Sequence, residues 1–395
     1  MRLKLLLPQV EPDRYQEPAV CPLAGCGGRH WTMRQECGKP LRDTVYGEVV
    51  ARRYECLRCG HTFRVYPVGV SQDQISARLK GLAVMLYIMG LSYGAVALVL
   101  QAMGHGLSKT TVYNTVQAAG ARVPGLRRED VRLPLGRALV AALGGDLTSV
   151  KCGGEWLTVG VTTDAIGGTA LTIDILEDGQ AATLSEWVHD IAAAVHAEVL
   201  VSDDADGFKI AADDQGLAHQ VCKAHVLRNS EEWVRKMRPL LAQDADGSLA
   251  ALAVAPEQAV ADCDALLRLM QERQPSGAAA AELAAIHRRY QAAPSPRQLG
   301  HDKETLAYRL RLFSLDRWNL WPRLTYYRHW HDASGATLDG TNNATERAIG
   351  WWIKERYRTM RGYKRRQSVR NVSRLIAWAG NHLATPGADL TLVVA

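Results

Sequence analysis

The chain has 395 residues, 47% of them apolar and 22% charged, with a formal net charge of +6. This is the composition of an ordinary globular protein with room for roughly two to four units that each bury a core, and it excludes a disordered or fibrous chain. No run of about eighteen apolar residues exists to span a membrane, and the opening Met1–Pro8 is too short for a signal h-region, so a cytoplasmic protein with no membrane partner is expected.

The first sixty residues hold five of the eight cysteines. Cys21-Pro-Leu-Ala-Gly-Cys26 and Cys56-Leu-Arg-Cys59 form two knuckles, with strand-like sequence over Thr44–Tyr54 between them. Four thiolates so paired suit one structural Zn²⁺ in a ribbon. The wider gap of the first pair leaves room for Cys37, His30 or His61 as a replacement ligand. Reduced thiols without metal, or a disulfide pair, are the plainer readings. Cys152 and Cys263 stand alone as ordinary thiols.

After Pro67 the apolar residues recur at threes and fours: Ile75, Leu79, Leu82, Ala83 and Leu86. A second helix is predicted from Leu91-Ser92-Tyr93 to about Met103, broken by Gly104-His-Gly106, and Ser108 then caps a third helix over 109–116. Helix, glycine-containing turn and a short polar-faced helix make a helix-turn-helix whose second helix reads base edges. Lys109, Thr110, Tyr113 and Asn114 are the groove-contact candidates, set against an ordinary helical hairpin.

From about Arg137 strands are predicted at 137–147, 155–164 and 169–174, with Gly153-Gly154 and Gly167-Gly168 as turns. A helix over 181–197 and a fourth strand at 198–202 follow. Asp146 is expected at the end of the first strand and Asp203 just after the fourth; either one alone is more often a turn or cap residue. Three antiparallel strands, a helix and a strand is the order of a ribonuclease-H-like α/β fold, which brings those two strand ends side by side. Carboxylates so placed bind paired divalent cations and cut phosphodiester bonds.

Val199–Ala211 around Asp203, followed by Cys222-Lys-Ala-His225, resembles the central signature of bacterial insertion-sequence transposases of the Mutator-like superfamily. Asp146-Leu-Thr-Ser-Val-Lys151 with Gly154 and Trp156 resembles their first motif, and Thr341-Asn-Asn-Ala-Thr-Glu346-Arg347 their third, in which the catalytic Glu opens the last helix. The resemblance covers roughly 137–230 and 336–380. It implies a DDE triad of Asp146, Asp203 and Glu346 holding two Mg²⁺, with Asp204 as understudy to Asp203 and Asp206 as a cap. It also implies a role near the active site for His225, by hydrogen bonding to a carboxylate or phosphate. A satisfied core histidine is the other reading of His225. Zinc on Cys222 and His225 lacks two further ligands.

A helical stretch from Asn229 to about Gly335 matches the all-helical insertion of such enzymes. Trp318 or Trp321 beside Arg317 is a base-stacking candidate, although core packing is the commoner fate of tryptophan. From Arg347 to Arg374 ten Lys/Arg stand against Glu355 alone, so the rest of the chain is net acidic. That run is either a solvated face or a phosphate-backbone ligand. Arg356, Arg358, Arg361, Lys364, Arg365 and Arg366 are its DNA-facing candidates. Asn342 and Asn343 are expected to cap the helix of Glu346, for which a plain capping-box role is the bland alternative.

The expected units are a zinc ribbon (1–70), a helix-turn-helix (71–130), a core in two parts (131–228 and 336–384) around the insertion (229–335), and a tail (385–395). The expected activity is Mg²⁺-dependent cleavage and transfer of DNA strands at the terminal repeats of an insertion sequence, by a dimer or larger homo-oligomer. A transposase-derived regulator that binds DNA without catalysis is the alternative.

Overall fold

A computed structural model describes residues 4–131, 133, 137, 139–272, 277–300, 302–356, 363–381 and 388–394. After β1 (Leu5–Leu6) and β2 (Glu11–Tyr15), an antiparallel sheet forms from β3 (Trp31–Pro40), β4 (Glu48–Cys56) and β5 (Thr62–Val65); β6 (Pro67–Val68) pairs with β2. Val49, Ala51, Tyr54 and Cys56 of β4 turn inward while Glu48, Val50 and Arg53 face solvent, the alternation of a sheet with one wet side.

Three helices follow: α1 (Ala77–Ile88), α2 (Tyr93–Ala102) and α3 (Lys109–Arg122). Each starts at a serine whose hydroxyl takes an otherwise orphaned N–H, Ser76 from Leu79, Ser92 from Ala95 and Ser108 from Thr111. They do not form a separate ball. Tyr87, Val96, Leu100, Val112 and Val116 share one hydrophobic cluster with Val150, Val159 and Ile173 of the central sheet.

That sheet contains β7 (Ala142–Cys152), β8 (Glu155–Asp164) and β9 (Ala170–Ile175), then, beyond α4 (Ala181–Val195), β10 (Val199–Ser202), α5 (Asp206–Asp214) and β11 (Ala218–Val221). Its order is β11-β10-β7-β8-β9, with β8 antiparallel to its neighbours and β7, β10 and β11 mutually parallel. β10 is buried on both faces, Leu200 against α4 and α5 and Val199 and Val201 against Tyr327 and Leu338, so its first three residues are all apolar and only Ser202 at its end is polar. Two expectations need correction. β7 starts five residues later than predicted and runs on to Cys152, so Asp146 lies within the strand and not at its end. β11 is an additional strand.

Helices α6 (Lys223–Leu241), α7 (Pro256–Gln271), α8 (Gly277–Tyr290), α9 (Pro296–Leu299) and α10 (Leu306–Thr325) bury Leu241, Leu266, Leu283, Tyr290 and Phe313 in a cluster of their own. The chain then returns to the sheet as α11 (Asn343–Ile349), a π-helical turn (Gly350–Lys354) and α12 (Arg366–Asn381), and ends in β12 (Ala388–Asp389) and α13 (Thr391–Val394). β12 pairs in parallel with β1, and Leu390, Val393 and Val394 are buried among the helices of the shared cluster. Among the described residues no helix is long and apolar enough to cross a membrane.

Candidate active site

The register of the two central parallel strands pairs Val201 with Gly144. Asp146 lies two residues beyond Gly144 on β7, and Asp203 two residues beyond Val201, just past the end of β10. The carboxyl group of Asp146 responds to this setting. Burial first, and then the negative charges of Asp203 and Glu346, push it up to about 6, against the Leu147 N–H and His225. The Leu147 N–H donates to Asp146 Oδ1 at 2.7 Å.

Glu346 arrives from α11, which lies directly on the sheet because residue 144 has no side chain: a Cβ there would overlap the hydroxyls of Thr345 and Thr163. Those two hydroxyls are hydrogen-bonded at 2.9 Å. Asn342 stands at the N-cap position but does not cap with its side chain, correcting the expectation for it. Its Nδ2 donates to Gly145 O at 2.9 Å and its N–H to Cys222 Sγ at 3.2 Å. It thereby ties α11 to both β7 and the start of α6. His225, one turn into α6, places Nε2 3.4 Å from Glu346 Oε1.

Of the acidic doublet, Asp204 is paired with Lys209 Nζ at 2.8 Å, whereas Asp203 accepts the Ala205 N–H at 3.1 Å and faces Asp146. Asp206 lies in the first turn of α5 and pairs with Lys209 at 3.0 Å instead of capping. The backbone of Asp203 is held by a relay that sequence reasoning missed. Ser202 Oγ donates to Asp203 O, His219 Nε2 reaches Ser202 Oγ, and Arg323 donates to His219 Nδ1, each at 2.9 Å. Since a guanidinium only donates, Nδ1 is the acceptor and Nε2 carries the proton. His219 sits on the unpredicted β11, and nothing in its local sequence signals the role.

The donor set fits hard divalent cations. Asp203 and Glu346 both act electrostatically on Asp146, no Lys or Arg is paired to any of the three among the described residues, and Glu346 Oε1 and Asn342 Oδ1 are buried without a hydrogen-bond partner; the three carboxylates do not all lie within 4.8 Å of one another.

The nucleic-acid candidates divide. Lys109, Thr110 and Asn114 are exposed on α3. Tyr113 turns inward, its hydroxyl 2.8 Å from Ser368 Oγ and its ring edge-on to Tyr93, and this corrects its assignment as a groove contact. Lys364, Arg365 and Arg366 are exposed, and Trp318 is 41% exposed on α10. Trp321 packs against the insertion core, under the Arg328 guanidinium. Arg356 is 5% exposed, donates to the carbonyls of Tyr87 and Ile88 and lies over the Tyr87 ring; it is a corrected assignment too. Arg358 and Arg361 fall outside the described residues.

At the other end of the molecule Cys21, Cys26, Cys56 and Cys59 converge. Cys21–Cys59 and Cys26–Cys56 sulfur pairs are 3.8 Å apart, non-bonded contacts at the spacing of two thiolates on a tetrahedral Zn²⁺, ~3.8 Å for Zn–S bonds of about 2.3 Å. The N–H groups of Arg58 and Cys59 pull the Cys56 thiol down to about 7, while burial raises Cys21 and the neighbouring thiols push Cys59 up to about 12, so the four sulfurs share their protons unevenly. Cys37, His30 and His61 are not part of this group.

Residues 179–359, a little under half of the chain, match the family described as Transposase IS66 family. The matched segment contains Asp203, Cys222, His225 and Glu346; Asp146 precedes it. No curated protein matches the chain. Among solved structures, the cryo-EM structure of the simian T-cell lymphotropic virus intasome in complex with PP2A regulatory subunit B56 gamma is similar at 16% identity, over 56% of this chain and 78% of that chain. Its TM-score of 0.20 is too low for a shared fold to be argued. The family match, over the segment that carries two of the three acids, supports a transposase kind of function for this chain.

Proposed function

We propose that the chain is a DDE transposase of an insertion sequence, which binds the element's terminal repeats and cleaves and transfers DNA strands with Mg²⁺. The observation that carries this reading is the family match over the segment with Asp203, His225 and Glu346, together with the placement of Asp146 on β7, Asp203 just past β10 and Glu346 on α11, where His225 Nε2 lies 3.4 Å from Glu346 Oε1. The strand order of the central sheet supports a ribonuclease-H-like core; the family match is to IS66 transposases, and a Mutator-like relationship rests on the motifs around Asp203 and Glu346 alone.

Asp146, Asp203 and Glu346 would hold two Mg²⁺. Such ions supply an activated oxygen nucleophile and stabilise the leaving oxygen in an in-line displacement at phosphorus. The protein's own part is positioning. The relay from Arg323 through His219 and Ser202 fixes Asp203, Asn342 and Thr345 fix α11, and His225 orients Glu346 and can donate to the scissile phosphate. Lys109, Thr110 and Asn114 read the repeat, Lys364, Arg365 and Arg366 take the phosphate backbone, and Trp318 stacks on an unpaired base. A structural Zn²⁺ on Cys21, Cys26, Cys56 and Cys59 organises the amino-terminal sheet. Two element ends must be joined in one complex, which calls for a dimer or larger assembly in the cytoplasm.

The test is an element-end duplex with Mg²⁺. Asp146→Asn, Asp203→Asn and Glu346→Gln should each reduce strand cleavage to background while leaving duplex binding in place. A variant of this set that cleaves as well as the parent overturns the assignment.

A further inference from the structure

Cys222 makes the acidic site chemically mixed. Its sulfur lies at the start of α6 and accepts the Asn342 N–H at 3.2 Å. The sequence offered only two ligands here. Folding adds a third from 121 residues downstream of His225, so that one ligand atom each of Cys222, His225 and Glu346 lie within 4.8 Å of one another. Two atoms of this group, His225 Nδ1 and Glu346 Oε1, are buried without a hydrogen-bond partner, which a purely structural thiol does not explain.

We propose that Cys222, His225 and Glu346 form a site for a thiophilic divalent cation of the zinc class, separate from the four-cysteine cluster. On binding, the Cys222 thiol loses its proton to solvent and forms the S–metal bond, a neutral imidazole nitrogen and the Glu346 carboxylate complete three protein ligands, and the fourth position is open to water. Two anionic ligands balance the dication. Zn–S of about 2.3 Å and Zn–N of about 2.0 Å require the ligand atoms to close by roughly an ångström, within the reach of side-chain rotation at half-exposed His225 and Glu346. Thiolate is a poor ligand for Mg²⁺, so the sulfur selects the softer metal. Given the transposase reading, on which this consequence rests, the two metals compete for Glu346 and zinc acts as an inhibitor.

The test uses the full chain with one equivalent of Zn²⁺ already bound, which fills the four-cysteine cluster, titrated with Co²⁺. A sulfur-to-cobalt charge-transfer band should grow to one equivalent, with two metals retained per chain. Cys222→Ser should abolish the band and retain one metal. If that variant does not fold, His225→Asn and Glu346→Gln carry the test, each weakening Co²⁺ binding about tenfold or more. Absence of the band in the parent, or its persistence in Cys222→Ser, overturns the site. A chain that shows the band and never cleaves DNA keeps this site and loses the transposase reading; one that cleaves and shows no band does the reverse.

Discussion

Gly144 is the residue on which the acid cluster turns. Because Thr345 and Thr163 press against its Cα, Gly144→Ala must lift α11 from the sheet and carry Glu346 with it. Overpacking of this kind costs about 1–3 kcal/mol, so denaturant unfolding should show that loss, accompanied by loss of strand cleavage. Unchanged stability would mean that α11 does not dock there. His219 supports a second expectation. Burial, reinforced by Arg323, pushes its imidazole down to about 3. The unfolded chain therefore takes up this proton near pH 6.5 while the folded chain refuses it until about 3. Stability from this residue is complete above pH 6.5 and falls as pH drops toward 3, by up to about 1.4 kcal/mol per pH unit. His219→Gln should flatten that part of the stability profile, and an unaltered profile would show that the imidazole titrates freely. At this scale the sequence misleads wherever burial decides. Arg356 and Tyr113 are a charge in a basic run and an aromatic on a polar helix, and only packing against Tyr87, Ser368 and Tyr93 reveals that both point inward.

Elements whose ends carry local chemistry were readable. Ser92 and Ser108 mark the starts of α2 and α3, Gly104 with φ +82° marks the end of α2, and the Gly153-Gly154 pair, both at positive φ, marks the β7–β8 hairpin. Elements defined by their partners were not. β11 is four residues long and exists because β10 offers it an edge, with Cys222 N–H still bonded to Ser202 O beyond its end. The outer half of β7 is polar, so its apolar first half looked like the whole strand; pairing with β8 extends it to Cys152. The acids were proposed from strand ends and motif resemblance, and the parallel register of β7 and β10 that bears on them is encoded by no local pattern. The third ligand of Cys222 and His225 was out of reach for the same reason, since Glu346 lies on the far side of the helical insertion.

At the scale of the molecule, the first and last described strands close on each other and on α1 and α3. β1 pairs with β12, Arg122 on α3 donates to Val394 O at 3.2 Å, and α13 is buried beside α1 and α3. Deleting 388–395 removes Ala388, Leu390, Val393 and Val394 from this cluster and should lower the melting temperature. Hydrogen exchange should rise in α1 and α3 and stay constant in α7 and α8, whose core is separate. Equal exchange in both regions would contradict the shared core.

The contact between α3 and α12 has a mechanical consequence. At Gly120 the two backbones touch through Asn371 O with no space for even a methyl group, so α3 is clamped to the same framework that carries the acids. If the proposed function holds, such a clamp works as a ruler: the interval between the sequence α3 would read and the bond the acids would cut becomes a dimension of the protein, set by its packing rather than by the slack of a tether.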